Sequence, residues 1–119
     1  MIERFDINGV HFTVDDDLRK YVVKKIAKLD QYMSRHARKS VHAEVKLKEE
    51  KIKARKQATC EVILHLPQEN LATKETTLNM YAAVDIVEAK LKNQLRKYKE
   101  KHEHPYRIHR RLLRKLRRG

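Results

Sequence analysis

Lysine side chains at helical spacing are the groups in this chain best suited to a chemical role. Lys90, Lys97 and Lys101 recur at i, i+7 and i+11, which places them in one row along a helix. A second cluster on an earlier helical segment consists of Lys24, Lys25 and Lys28. Ammonium groups held in rows can neutralise the phosphates of a nucleic acid. The spacing therefore predicts a phosphate-binding surface, with an ordinary solvated face as the alternative.

Groups suited to catalysis are sparse. Cys60 falls on the inward side of an alternating strand, so we expect a small buried hydrophobe rather than a nucleophile. No glycine-rich phosphate loop is present, and the pair His102 and His104 has no further ligand at a metal-binding spacing. We expect a protein that is not an enzyme and that carries no cofactor and no metal.

The net charge of +13 on 119 residues narrows the class of partner. A chain of this length is expected to form one domain with a tail. The charge favours nucleic acid as the partner and an anionic membrane surface as the second candidate. Cys60 is the only cysteine, so no intramolecular disulfide can form and a reducing interior fits best. Without a signal peptide or an apolar run of ~20 residues, the expected location is the cytoplasm, or an organelle interior after processing.

The spacing of apolar residues predicts two helices and four strands. One helix spans residues 79–102, begins at an Asn79 cap and carries a continuous apolar stripe. The other helix begins near Asp16, behind capping aspartates, and runs to about residue 33. The predicted strands are residues 1–7, ended by Asn8-Gly9, then 41–48 and 58–66 joined by a charged connection at 49–56, and a weaker strand at 71–77.

This order, β-α-β-β-β-α, predicts the fold class α+β. We expect a four-stranded mixed sheet in which three antiparallel strands follow a βα crossover. Because the strands alternate apolar and polar residues, one face of the sheet should be buried. Both helices should therefore pack on that one face.

The two lysine clusters are expected to meet at a seam between the helices. Lys25 falls inside the apolar arc of the first helix, so its stem should pack at the seam with its amine outside. We expect Lys90 and Lys97 to line the other side, giving a positive groove. Residues 24–28 match the Lys-Lys-x-Ala-Lys pattern of double-stranded RNA-binding domains, although there it opens the last helix. With few aromatic residues on the strands for base stacking, the groove should recognise structured RNA by its backbone and shape.

Residues 103–119 form a basic tail after His104-Pro105. Seven Arg and Lys residues and one acid, Glu103, give it +6 of the net charge. We expect the tail to be flexible, because any helix that it forms would be short and therefore only marginally stable in isolation. Its expected RNA contacts are Arg107, Arg110, Arg111, Arg114, Arg117 and Arg118. The alternative is a peripheral membrane or partner-helix module acting through Ile108 to Leu116.

The chain resembles the ribosome hibernation-promoting factors, also called ribosome-associated inhibitor or S30AE proteins, of the short type. The resemblance covers residues 1 to about 102. The residues that carry it are Asn79-Met80-Tyr81-Ala82-Ala83-Val84-Asp85, then Lys90-Leu91 and Gln94-Leu95 with Lys97, together with Ile7-Asn8-Gly9 and Lys28-Leu29-Asp30-Gln31-Tyr32.

The resemblance implies binding to the small ribosomal subunit near the decoding centre, where the protein occupies tRNA and mRNA space and keeps idle ribosomes intact. By position, the rRNA-facing residues it implies are Lys25, Lys28, Lys90 and Lys97, with Gln94 as a motif residue. Asn79 replaces the usual Asp, and Asn93 stands where many members carry Arg, which removes one phosphate contact. We expect residues 1–102 to be the ribosome-binding domain, with no second domain for self-dimerisation unless the sequence is a fragment of a longer chain.

Overall fold

The computed structural model describes residues 1–102, which form one α+β layer structure. The tail residues predicted above to contact RNA lie outside this part. The elements are β1 (Phe5–Val10), α1 (Asp16–Ala27), a 3₁₀ segment (Lys28–Tyr32), α2 (Arg35–Ser40), β2 (His42–Ile52), β3 (Arg55–His65), β4 (Asn70–Thr77) and α3 (Met80–His102). None of the helices described combines the length and the apolarity that a membrane span requires.

The sheet has four strands in the order β1-β2-β3-β4. β1 runs parallel to β2, and the two following pairs are antiparallel. The prediction of a mixed sheet within an α+β fold is therefore confirmed. Two long helices, α1 and α3, cover one face. Among residues 1–102 no element covers the other face, which is called the open face below.

The core lies between the sheet and the two helices. Alternate residues of β2 and β3, such as Val45 and Val62, are fully buried because the strand period of two sends them to the helical side. The apolar stripe of α3 meets them from above and consists of Met80, Ala83, Val84, Val87, Leu91, Leu95 and Tyr98. Cys60 belongs to the same core, which confirms its predicted burial, and burial raises the pKa of its thiol to about 12.

Replacing Leu91 by alanine should test how strongly α3 is held on the sheet. Leu91 has no exposed surface, so the cavity left by Leu91→Ala should lower the free energy of unfolding by about 2–5 kcal/mol. The matched control is Leu78→Ala, because Leu78 is 73% exposed and should change stability by less than about 0.5 kcal/mol. Urea unfolding followed by circular dichroism measures both. Equal stability of the two variants would contradict the packing described here.

The first helix is shorter than predicted. It begins at Asp16, capped by the Asp15 carboxylate, which accepts a hydrogen bond from the Leu18 amide at 2.7 Å. The α-helix ends at Ala27, however, and residues 28–32 tighten into the 3₁₀ segment. The apolar spacing continues through this change, which is why it suggested one helix to residue 33. The short helix α2 that follows was not predicted.

β1 does not end at Asn8-Gly9 as predicted, because the strand continues to Val10 beside β2. Gly9 pairs with Leu47, and a Cβ at Gly9 would lie 2.4 Å from the Phe12 carbonyl oxygen. This glycine therefore permits a close approach of two backbone segments rather than breaking the strand.

The predicted charged connection 49–56 is a tight hairpin. β2 and β3 pair as far as Ile52 and Arg55, leaving only Lys53 and Ala54 in the loop. These two residues have φ angles of 52° and 66°, the left-handed values of a two-residue hairpin turn. Such turns usually contain Gly or Asn, so the sequence Lys53-Ala54 does not predict one.

Candidate nucleic-acid interface

The helix seam is the line of contact between α3 and α1 with its 3₁₀ extension. Three contacts follow it in order: Tyr21 with Tyr81, Lys25 with Asp85, and Tyr32 with Lys92. Because residue numbers rise together on both sides, the two helices run in the same direction. The predicted seam between the helices therefore exists, and Lys25 lies in it.

The first half of the seam is acidic on the α3 side. The Lys25 amine lies 3.6 Å from the Asp85 carboxylate and 4.0 Å from Glu88. Its stem passes beside the Tyr21 ring, with the amine 5.6 Å from the ring centroid, and its side chain is 27% exposed. The packed stem of Lys25 agrees with the prediction. The two carboxylates neutralise its ammonium charge, however, so this half of the seam is not the positive groove that was predicted.

The prediction that Lys90 and Lys97 line the other side of this seam is wrong. The Lys90 amine pairs with Glu75 of β4, and the Gln94 side-chain amide donates to the Ala72 carbonyl, also of β4, at 3.3 Å. Lys101 lies 3.7 Å from Glu69, just before β4. The row that runs along this edge, called here the edge row, consists of Lys90, Gln94, Lys97 and Lys101. It lies on the flank of α3 away from α1.

The second half of the seam is basic. Lys92 lies over the Tyr32 ring at 5.2 Å, and Arg96 and Lys99 follow it at i+4 and i+7 on the same flank. Lys24 and Lys28 are exposed, Lys24 on α1 and Lys28 on the 3₁₀ segment. The seam cluster, as we call it, consists of Lys24, Lys28, Lys92, Arg96 and Lys99. Its three α3 members are not among the predicted site residues, although their spacing along the helix is as regular as that of the edge row.

Together the seam cluster and the edge row make the C-terminal half of α3 basic on both flanks. From Lys90 to His102, Glu100 is the only acid in the sequence of this helix. Lys28, Arg96 and Lys97 are all exposed, so their charges face solvent. The surface can therefore offer cations to an extended phosphate backbone.

A hydrogen bond at the acidic half of the seam should be visible in a titration. The Tyr21 hydroxyl donates to the Asp85 carboxylate, which raises the pKa of Tyr21 to about 12. We expect Tyr21 to remain protonated at about pH 11 and to ionise there in Asp85→Asn, where the charged acceptor is lost. Carbon-13 NMR of the tyrosine Cζ, assigned with Tyr21→Phe, measures this.

The sign of the linked stability follows from the same shift. A pKa that is higher in the folded state stabilises the fold fully below about pH 10, and that contribution disappears as pH rises through about 12. Glu88→Gln is the control, because Glu88 raises the pKa of Tyr21 less than Asp85 does. A Tyr21 that ionises near pH 10 in the unaltered protein would show that this bond is not formed.

A family model and curated relatives match most of the chain. The model for the family described as Sigma 54 modulation protein / S30EA ribosomal protein matches residues 5–103. A ribosome hibernation promotion factor of Lactococcus lactis is 36% identical over 96 residues, which cover 81% of this chain and 49% of the relative. The Staphylococcus aureus protein of the same name is 35% identical over 96 residues, covering 81% and 48%. The chain thus spans about half the length of these relatives.

Solved structures share the fold. The N-terminal domain of Thermus thermophilus Protein Y aligns with a TM-score of 0.66 and 27% identity, covering 78% of this chain and 94% of that domain. A ribosomal subunit interface protein of Coxiella burnetii aligns with a TM-score of 0.66 at 21% identity, covering 82% and 99%. The second likeness concerns the fold alone.

Proposed function

This chain belongs to the Sigma 54 modulation protein / S30EA ribosomal protein family, and from that membership we propose that it binds the small ribosomal subunit and holds idle ribosomes inactive. It does so by occupying tRNA and mRNA space near the decoding centre, through contacts with rRNA. Occlusion needs no turnover, which suits a surface that offers cations rather than catalytic groups. Both curated relatives, about half of whose length is matched, are named ribosome hibernation promotion factors, and these names support the proposal.

The observation that carries the proposal is the basic surface formed by the seam cluster and the edge row on the helical side of the molecule, called the helical layer below. Phosphates bind most strongly to cations that have no carboxylate partner, because the ion pair must otherwise be broken first. We therefore assign the main rRNA contacts to Lys24, Lys28, Lys92, Arg96 and Lys97, for which residues 1–102 provide no carboxylate partner. Lys25, Lys90, Gln94 and Lys101 remain in the proposed interface with smaller contributions, because each already has a partner in the protein.

The basic tail is proposed to extend this surface. Residues 1–102 form the rRNA-binding domain, and residues 103–119 add contacts through the six predicted arginines. In the sequence the tail follows directly after His102, the last residue of α3. A ribosomal partner would place the protein in the cytoplasm.

Co-sedimentation with purified ribosomal subunits tests this proposal. The chain should pellet with vacant small subunits at moderate salt and should not pellet with large subunits at the same concentration. Failure to pellet with small subunits, while free structured RNA is still bound, would leave a general RNA-binding protein and exclude the ribosomal function.

A further inference from the structure

We propose that His42, Glu44 and His65 form a binding site for zinc on the open face of the sheet. The three side chains come from neighbouring strands, β2 and β3. They lie on the face opposite the helices, away from the proposed rRNA interface. The site is therefore independent of the proposed function, and either can fail without the other.

The strand register brings the three residues together. His42 and Glu44 are two residues apart on β2, so their side chains leave the same face. His65 is the direct antiparallel partner of His42. Directly opposed residues have Cβ atoms about 4.5–5.5 Å apart, within reach of one metal ion. The sequence could not indicate this cluster, because His42 and His65 are far apart along the chain and only the register pairs them.

The side chains already converge. The Nε2 atom of His65 lies 2.8 Å from Oε1 of Glu44, and the rings of His42 and His65 stack with centroids 4.0 Å apart and planes 8° from parallel. One ligand atom from each residue lies within 4.8 Å of the other two. Ligands of a tetrahedral zinc ion at 2.0–2.2 Å are roughly 3.3–3.6 Å from each other. Closing that difference requires the side chains to rotate, and the two stacked imidazole rings must tilt out of parallel so that their in-plane lone pairs point at one ion.

The types of ligand fit zinc better than a hard cation. Imidazole nitrogens favour zinc, copper and nickel, whereas magnesium and calcium prefer oxygen ligands only. Two histidines and a carboxylate fill three positions of a tetrahedral ion and leave one for water. Asp6 of β1 is the register neighbour of Glu44 and places a second carboxylate nearby. Arg4 lines the same depression as Asp6 and His42, and its positive charge offsets the negative charge of Asp6.

Zinc titration of the full chain tests the proposal, with a chromophoric chelator as competitor. The unaltered protein should bind one zinc ion at this site, and His65→Gln should weaken that binding by about 100-fold or more, since losing even a residue that only orients a ligand costs 10–100-fold. His36→Asn, which removes an exposed histidine of α2, is the matched control and should bind as the unaltered protein does.

A site-resolved measurement on the unaltered protein keeps the test independent of how the variants fold. Zinc should shift the NMR signals of the His42 and His65 rings first, and cobalt(II) should broaden them first, ahead of His102 and the tail histidines. Unmoved His42 and His65 rings at saturating zinc, or equal affinities for His65→Gln and His36→Asn, would overturn the proposal.

Discussion

Reversing the charge of four exposed cations on the helical layer should abolish binding to the small ribosomal subunit. Lys28→Glu with Arg96→Glu alters the seam cluster, and Lys97→Glu with Lys101→Glu alters the edge row. Each pair should weaken binding by about 100-fold or more, because phosphate contacts are replaced by repulsion. The four changes combined should leave no measurable binding. Sedimentation with small subunits over a range of protein concentrations measures all three variants.

The matched control places the same charge change on the opposite side of the molecule. Lys46 and Lys74 are exposed on the open face of the sheet, so Lys46→Glu with Lys74→Glu changes net charge as much as either pair does. This variant should bind nearly normally. If it loses as much affinity as the helical pairs, net charge rather than a defined surface controls binding. Full binding by the fourfold variant would exclude the helical layer as the site.

The affinity for small subunits should fall steeply with salt. The five cations assigned to the main contacts predict a slope of log affinity against log salt of about −4 to −5. Between 50 and 200 mM monovalent salt, the affinity should therefore drop by roughly 250- to 1,000-fold. The measurement is a binding isotherm at several salt concentrations with magnesium held constant, so that the subunits remain intact.

The variants make this slope diagnostic of the surface. Each lost phosphate contact should reduce its magnitude by about one, so either helical pair should flatten it while the Lys46 and Lys74 control should not. A slope near zero in the unaltered protein would mean that binding depends on contacts other than phosphates.

Much of the fold could be predicted because each signal was local. The alternation of residues in β2 and β3 reflects the strand period, and it placed Cys60 in the core correctly. The predicted helix cap at Asn79 was also a local signal. In the structure the Asn79 side chain accepts a hydrogen bond from the Tyr81 amide at 2.8 Å. Membership of the ribosomal family followed from the motif that begins at the same residue.

The candidate site was harder because its geometry depends on which elements are neighbours. The periodicity of α3 gives the angles between its rows but does not say which flank faces α1. Asp85 and Glu88 decide this in the structure, because they bring the acidic flank of α3 against Lys25. Lys90 then falls on the β4 side, where Glu75 meets it. Pairing of opposite charges across the seam therefore predicts the orientation of α3 better than clustering of like charges does.

The pairing of strands hid a second cluster for a similar reason. His42, Glu44 and His65 were each readable as polar-face residues, but their common location depends on the hairpin register. That register depends on Lys53 and Ala54, which adopt left-handed backbone angles uncommon for such residues.

Competition with tRNA on the small subunit tests the central claim most directly. Labelled protein should pellet with vacant small subunits, and its binding should fall by at least about tenfold when the subunits are first saturated with mRNA and P-site tRNA. The converse should also hold, so that the bound protein lowers tRNA binding by the same factor, since coupling between two ligands is reciprocal. Equal binding of the protein to vacant and tRNA-filled subunits would contradict occlusion of the tRNA and mRNA path.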